Sequence, residues 1–350
     1  MKQLIGIVAV LAAGAGIMYW FNAEGPASKS NGQERAVAVA DVNDSQEKPS
    51  QFGIDRAQPG QDAKPVVFDG KRAMRYLESV CAIGPRMSGS KAMQKQQDLI
   101  KKHFEELGAN VQLQPFKAKQ NSVKGEVEMT NIIISFQPDK KRRVILCTHY
   151  DTRPYADQEP DPRDAKKANA FISANDGGSG VAFLMEMAHH MKDLKTNVGV
   201  DFVLFDGEEL IFKAEGPGRD RYFIGSEYFA DTWRKSKNRC DYSAAILLDM
   251  IAGKQIRFPL EVHSYKFFPE LCKEVWGIAR EQNAKAFVPM WGHEVQDDHL
   301  SLQRVNIPAI DLIDFDYPHW HRLSDTPANC SGASMEQVAK VLSVWMQRTK

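Results

Sequence analysis

The sequence predicts an α/β fold: a single three-layer domain in which a mostly parallel mixed sheet is flanked by helices. Four short, continuous apolar runs have the length and composition of buried parallel strands. Helical stretches lie between these runs, and this alternation places helices on both faces of a parallel sheet. The length of 350 residues suits one large domain of this class with appendages.

The chain begins with an apolar segment that is followed by a polar one. Residues 4–21 carry only apolar side chains and glycine and end in three aromatic residues, a pattern that favours an uncleaved signal anchor over a cleaved signal peptide within residues 1–21. Lys2 is the only charge before this run, so the rest of the chain is expected outside the cytoplasm, either periplasmic or secreted. Residues 22–63 are rich in polar residues, glycine and proline, which predicts a disordered linker. The folded domain is expected at residues 64–350.

Apolar periodicity predicts two helices at the start of the folded domain, at residues 68–77 and 92–107. The later elements are expected as strands at 131–135, 144–148, 200–205, 244–248 and 309–313, with helices at 180–191 and 269–282.

Composition argues against several classes of function. Lys+Arg and Asp+Glu total 45 each, so the chain lacks the positive excess typical of nucleic-acid binding. The 5 cysteines are scattered along the chain, which argues against a zinc ribbon and against a disulfide framework. A hydrophobic fraction of 43% is typical of a globular protein.

A potential metal ligand follows each of the four buried strands. These residues are His149, the pair Glu208 and Glu209, Asp249 and, after a short loop, His321. A further aspartate, Asp176, lies in a glycine-rich turn before a helix. The carboxyl ends of parallel strands meet at one edge of the sheet, so we expect these side chains to converge. Singly, each fits a helix cap or a structural polar residue, but together they favour a catalytic zinc site over a structural polar network.

The adjacent carboxylates Glu208 and Glu209 are predicted to have different chemical roles. Two uncompensated neighbours would repel each other unless a cation neutralises one of them. We expect one glutamate to bind the metal while the other stays free as a general acid/base. The alternative, a solvated acidic turn, is disfavoured by the apolar runs on both sides of the pair.

Seven short motifs together resemble those of a known superfamily. They are Thr-His-Tyr-Asp at 148–151, Asn-Asp-Gly-Gly-Ser-Gly-Val at 175–181, Phe-Asp-Gly-Glu-Glu at 205–209, Leu-Leu-Asp-Met at 247–250, Gln-Asp-Asp-His at 296–299, Trp-His at 320–321 and Ser-Asp-Thr at 324–326. From about residue 77 to the end, the chain resembles the zinc exopeptidase superfamily, specifically the aminopeptidase-like branch that contains glutaminyl-peptide cyclotransferases. The resemblance implies a phosphorylase/hydrolase-like fold and makes residues 64–350 a zinc-dependent catalytic domain.

A cyclotransferase of this family would convert an N-terminal glutamine to pyroglutamate and release ammonia. The resemblance then implies one Zn²⁺ with the ligands Asp176, Glu209 and His321. Glu208 would carry the proton from the attacking α-amine to the leaving group. Asp249 and Asp297 would orient the amine and the developing intermediate, and Trp320 would offer an apolar wall beside the new ring.

A di-zinc aminopeptidase is the alternative that the resemblance leaves open. Asp176 would then bridge two ions, the first also held by Glu209 and His321 and the second by His149 and Asp249. Three features favour cyclisation: the Asp-Gly-Glu sequence at 206–208, the double aspartate at 297–298 and Trp320 directly before the last ligand. A non-catalytic ectodomain, the third hypothesis, is disfavoured because both glutamates are present.

Either enzyme implies peptides with a free N-terminus as substrates. We expect a monomer attached to the membrane through its N-terminal segment. The stretches 153–171 and 213–223 are interpreted as loop insertions at the rim of the site, where substrate access is set.

Overall fold

Helices and strands alternate through most of the computed structural model, which describes residues 52–54, 63–166 and 171–350. The strands are β1 (Asn110–Lys119), β2 (Glu126–Phe136), β3 (Arg142–His149), β4 (Gly199–Phe205), β5 (Asp241–Asp249), β6 (Phe258–Leu260), β7 (Phe287–Trp291) and β8 (Ala309–Ile313). The helices are α1 (Gly70–Cys81), α2 (Lys91–Glu106), α3 (Pro162–Ala165), α4 (Ser179–Met191), α5 (Ile224–Lys235), α6 (Val262–Phe267), α7 (Pro269–Glu281), α8 (His299–Gln303) and α9 (Gly332–Arg348), with a 3₁₀ turn at Pro327–Asn329.

The central sheet orders its strands β1-β2-β4-β3-β5-β8. Strands β3, β4, β5 and β8 are parallel, whereas β2 pairs antiparallel with β4 and β1 pairs antiparallel with β2. The four parallel strands are those predicted from continuous apolar runs, and the mostly parallel mixed sheet is confirmed. Because these strands run in one direction, their carboxyl ends lie along one edge of the sheet.

Side chains of the parallel strands alternate between two apolar layers. In β3, Val144 and Leu146 belong to the larger core, which includes buried residues of α1, α4, α7 and α9. Ile145 and Cys147 belong to a second core with Phe229 of α5. Helices therefore cover both faces of the sheet, and the three-layer architecture is confirmed.

All the helices and strands predicted from the sequence are present, with shifted ends. Helix α1 begins at Gly70 because the side chain of Asp69 accepts a hydrogen bond from the Arg72 N–H and caps the helix. The sequence-based prediction missed β1, an edge strand with mostly exposed side chains that contains Pro115. It also missed α5 and α9, both of which pack on the sheet or its neighbouring helices.

Predictions about the N-terminal region fall largely outside the described residues. The signal anchor at 1–21 and the linker at 22–51 and 55–62 lie there. Within residues 52–54, 63–166 and 171–350, no helix combines the length and apolarity needed to cross a bilayer.

The linker prediction is wrong at Phe52 and Ile54. Their exposed fractions are 4% and 2%, and both belong to the larger core. The ring of Phe52 packs edge-on against Tyr265 and Trp291, and the Tyr265 hydroxyl donates a hydrogen bond to the Phe52 carbonyl. Single apolar residues in a segment of polar average composition can thus be buried against the folded domain.

Replacing Phe52 with Ala should lower the free energy of unfolding by about 3 kcal/mol, because it removes a buried ring and leaves a cavity. Urea unfolding of the variant and the unaltered chain measures this difference. Val67→Ala is the control, because Val67 is 91% exposed and its truncation should change the free energy by less than about 0.5 kcal/mol. Equal effects of the two substitutions would show that the contacts of Phe52 do not contribute to the free energy of unfolding.

Candidate metal centre and active site

The structure brings the predicted metal ligands together at the carboxyl edge of the sheet. His149 is the last residue of β3 and Asp249 is the last residue of β5. Glu209 follows β4, Asp176 precedes α4, and His321 lies in the loop after β8. Residues far apart in the chain therefore meet because their strands are parallel neighbours.

These residues form two groups that share Asp176. One group is Asp176, Glu209 and His321, the other is His149, Asp176 and Asp249, and within each group the ligand atoms lie within 4.8 Å of one another. His321 Nε2 is 3.5 Å from Asp176 Oδ2 and 3.3 Å from Glu209 Oε1. His149 Nε2 is 3.1 Å from Asp176 Oδ1 and 3.3 Å from Asp249 Oδ1. Asp176 thus presents one carboxylate oxygen to each group.

The residues of the first group fit a zinc ion. Within the described structure, His321 Nε2 and Asp176 Oδ2 are buried and have no hydrogen-bond partner. Buried polar atoms in folded proteins are normally satisfied, and a cation between these two atoms would satisfy both. One imidazole nitrogen and two carboxylates, with a coordination position left open, are a donor set typical of catalytic Zn²⁺.

Glu208 and Glu209 are adjacent and buried, yet their electrostatic environments are opposite. Burial, and then the charge of Glu209, raises the pKa of Glu208 well above its ordinary value. Burial also acts on Glu209, but Arg153 and His321 outweigh it and hold the pKa of that carboxyl below its ordinary value. Glu209 is therefore suited to bind a cation as a carboxylate, and Glu208 is suited to gain and lose a proton.

The carboxylate of Asp151 fixes the turn that carries both glutamates. Its Oδ1 accepts a hydrogen bond from the Glu208 N–H at 3.2 Å, and its Oδ2 accepts one from the Glu209 N–H at 2.9 Å. Gly207 has a φ of +78°, and a Cβ at this position would lie 2.6 Å from Met129 Sδ. The turn therefore requires glycine.

Asp325 supports the turn that carries Asp176. Its Oδ1 accepts a hydrogen bond from the Asn175 N–H at 2.9 Å, and its Oδ2 accepts one from the Asp176 N–H at 3.2 Å. The hydroxyl of Tyr317 also donates to Oδ1, at 2.9 Å. Burial, and then Asp176, raises the pKa of Asp325 to about 7. The sequence alone assigns no role to the motif at 324–326, and the structure shows that its aspartate holds the turn that carries Asp176.

The remaining predicted residues line the same cleft, which has a volume of about 400 Å³. Burial, and then Asp249, raises the pKa of Asp297 well above its ordinary value. Trp320 stacks on the ring of His321 with centroids 4.0 Å apart and packs against Phe315 at 5.0 Å. The cleft is therefore lined both by carboxyl groups and by the aromatic rings of Phe315 and Trp320.

Sequence reasoning missed Arg153 and Asp157, which lie in the stretch interpreted as a rim insertion. Arg153 Nη1 is 3.0 and 3.2 Å from the two carboxylate oxygens of Glu209. Asp157 Oδ1 is 2.8 Å from His321 Nδ1. Their proximity in sequence to the motif at 148–151 was the available signal, but the proline- and charge-rich composition is also typical of a solvated loop.

Comparisons with known proteins identify a matching family and similar structures. A model of peptidase family M28 matches residues 131–346. The crystal structure of the glutaminyl cyclase of Fimbriiglobus ruber is 48% identical with a TM-score of 0.80, and the match covers 84% of this chain and 100% of that one. A leucine aminopeptidase precursor from Bacteroides thetaiotaomicron is 28% identical with a TM-score of 0.75, and the match covers 82% and 100% of the two chains.

A curated relative extends the comparison to animals. The glutaminyl-peptide cyclotransferase of Bos taurus is 23% identical over 261 residues, which cover 63% of this chain and 66% of that protein. The chain therefore spans just under two thirds of the length of this relative. Among these similar proteins, two are named as cyclases and one is named as an aminopeptidase.

Replacing Asp325 with Ala should weaken zinc binding by about 10- to 100-fold, because the turn that presents Asp176 loses its acceptor. Competition with a chromophoric chelator measures the dissociation constant. Asp316→Ala is the matched control, since the Asp316 side chain is 78% exposed and should leave the constant unchanged. An unaltered constant in Asp325→Ala would contradict the supporting role of this carboxylate.

Proposed function

The chain belongs to peptidase family M28, and we propose that it is a zinc-dependent glutaminyl-peptide cyclotransferase, which converts an N-terminal glutamine of a peptide to pyroglutamate with release of ammonia. The match over residues 131–346 confirms the family resemblance inferred from the motifs. Similarity to the Fimbriiglobus ruber cyclase over the whole of that chain supports the activity. The structural observation that carries the proposal is the placement of Glu208, a buried carboxyl group that lines the cleft beside Glu209 and Asp176.

One Zn²⁺ would be held by Asp176, Glu209 and His321. When bound, zinc supplies a Lewis acid that polarises the γ-carbonyl group of the substrate glutamine. The two carboxylates offset the charge of the ion, and Asp325 and Asp151 hold the turns that present them. The protein thereby fixes the ligand geometry before substrate enters.

Glu208 would move the proton that cyclisation requires. The α-amine nitrogen attacks the γ-carbonyl carbon and must lose one proton as the new C–N bond forms. The Glu208 carboxylate accepts this proton and then donates it to the departing amide nitrogen, which leaves as ammonia when the old C–N bond breaks. Glu208 returns to its starting state at the end of the reaction, and burial raises its pKa above the ordinary value of a glutamate.

Asp249, Asp297 and Trp320 would orient the substrate. Asp249 and Asp297 line the cleft and can hydrogen-bond the α-amine and the developing intermediate. Because burial keeps the pKa of Asp297 high, this carboxyl group can also carry a proton and act as a donor. The ring of Trp320 offers an apolar surface against which the five-membered lactam can pack.

A di-zinc aminopeptidase is the second candidate, and one observation favours it. The group of His149, Asp176 and Asp249 provides a second complete set of three donors around the shared aspartate. Glu208 would then deprotonate the water that attacks the first peptide bond. The two enzymes differ in metal count and in product, and both can be measured.

Metal analysis combined with paired substrates separates the two candidates. The purified chain should contain one zinc per molecule and should release pyroglutamyl product and ammonia from a Gln-peptide amide, while a Leu-peptide amide stays intact. Elemental analysis and mass spectrometry of the products measure these quantities. Two zinc ions with free leucine as the product would contradict the cyclase and support the peptidase.

Glu208→Gln should lower kcat by at least about 100-fold while zinc stays bound, because the amide cannot accept the proton and Glu208 is not one of the three ligands. Turnover of the Gln-peptide and zinc content are both measured. Glu215→Gln is the matched control, since Glu215 is an exposed glutamate that lines the same cleft. A Glu208→Gln variant as active as this control would rule out the proton-transfer role.

A further inference from the structure

Two of the proposed zinc ligands are joined to each other through Arg153 and Asp157. Arg153 Nη1 lies 3.0 Å from Glu209 Oε1, and Arg153 Nη2 lies 2.9 Å from Asp157 Oδ2. Asp157 Oδ1 in turn lies 2.8 Å from His321 Nδ1. The four side chains form a closed ring, because His321 Nε2 is 3.3 Å from Glu209 Oε1. The side chains of Arg153 and His321 are only 4% and 5% exposed, whereas that of Asp157 is 35% exposed.

The same stretch of chain also holds the backbone around His321. His321 has a φ of 53°, in the left-handed region that non-glycine residues adopt only when their surroundings impose it. Its carbonyl accepts a hydrogen bond from the Gln158 N–H at 3.1 Å. Glu159 Oε1 accepts one from the Leu323 N–H at 2.6 Å. Residues 157–159 therefore contact both the ring and the main chain of this loop.

We propose that Asp157 is a positioning residue for His321, held in place by Arg153, an inference that rests on the proposed zinc site. His321 Nδ1 lies 2.8 Å from Asp157 Oδ1, and a proton held on Nδ1 by this carboxylate leaves the lone pair on Nε2, which lies 3.5 Å from Asp176 Oδ2 and 3.3 Å from Glu209 Oε1. Residues 153–171, interpreted from the sequence as a loop insertion at the rim of the site, thus contribute Arg153 and Asp157 to the proposed metal centre.

Arg153 makes this arrangement electrostatically feasible. Asp157 and Glu209 would both be anionic, and two carboxylates close together in a buried site repel each other. The guanidinium group lies between them and donates to both, with Nη1 on Glu209 and Nε and Nη2 on Asp157. The Tyr222 hydroxyl accepts a further hydrogen bond from Nη2 at 3.2 Å and so restricts the guanidinium orientation.

Zinc affinity, measured by chelator competition in the full chain, tests the proposal without reference to turnover. Asp157→Ala should weaken zinc binding by about 10- to 100-fold, because His321 loses the partner of its second nitrogen. Asp157→Asn should weaken it less, since the amide oxygen can still accept from Nδ1. Asp139→Ala, at an exposed turn between β2 and β3, is the control and should leave the affinity unchanged.

A kinetic readout separates positioning from direct substrate contact. If Asp157 acts through the metal ligand, saturating zinc should restore most of the kcat of Asp157→Ala with little change in KM. An affinity of Asp157→Ala within twofold of the unaltered chain would overturn the inference, and so would an Asn variant that binds zinc no better than the Ala variant. An unaltered chain that binds zinc but forms no pyroglutamate would contradict the proposed cyclase and leave the positioning role to be decided by the affinities.

Discussion

The structure depends on offsetting the charge of many carboxyl groups that are buried at one edge of the sheet. Parallel strands bring Asp249 and the turn of Glu208 and Glu209 to this edge, and burying charged carboxylates without compensation carries a large cost in free energy. Arg86 is fully buried nearby and is fixed by donating hydrogen bonds to the carbonyls of Gly84, Ile172 and Ser173. Buried arginines such as Arg86 and Arg153 thus provide part of the positive charge, and a metal ion would provide the rest.

Much of the fold and of the proposed site could be predicted because both arise from strong local patterns. Continuous apolar runs mark the parallel strands, and candidate site residues such as His149 and Asp249 stand directly at their ends. Arg153 and Asp157 could not be predicted, because their roles come from tertiary contacts of a segment that has the composition of a solvated loop. Phe52 was missed for a similar reason, since its burial depends on distant aromatic partners.

The three proposed zinc ligands, Asp176, Glu209 and His321, are compatible with both hydrolysis and cyclisation. Both reactions use a polarised carbonyl group and a carboxylate that carries a proton, and we propose Glu208 as that carboxylate in either case. The difference lies in the nucleophile, which is a water molecule for the peptidase and the substrate's own amine for the cyclase. A cleft that holds the amine against Asp249 and Asp297 and packs the closing ring against Trp320 would favour the intramolecular attack.

The support that Asp325 gives to Asp176 spans 149 residues of sequence. A nascent polypeptide that has been synthesised only as far as β5 contains Asp176 and Glu209 but lacks both Asp325 and His321. The geometry that we propose binds a cation therefore exists only after the chain has been synthesised as far as Asp325.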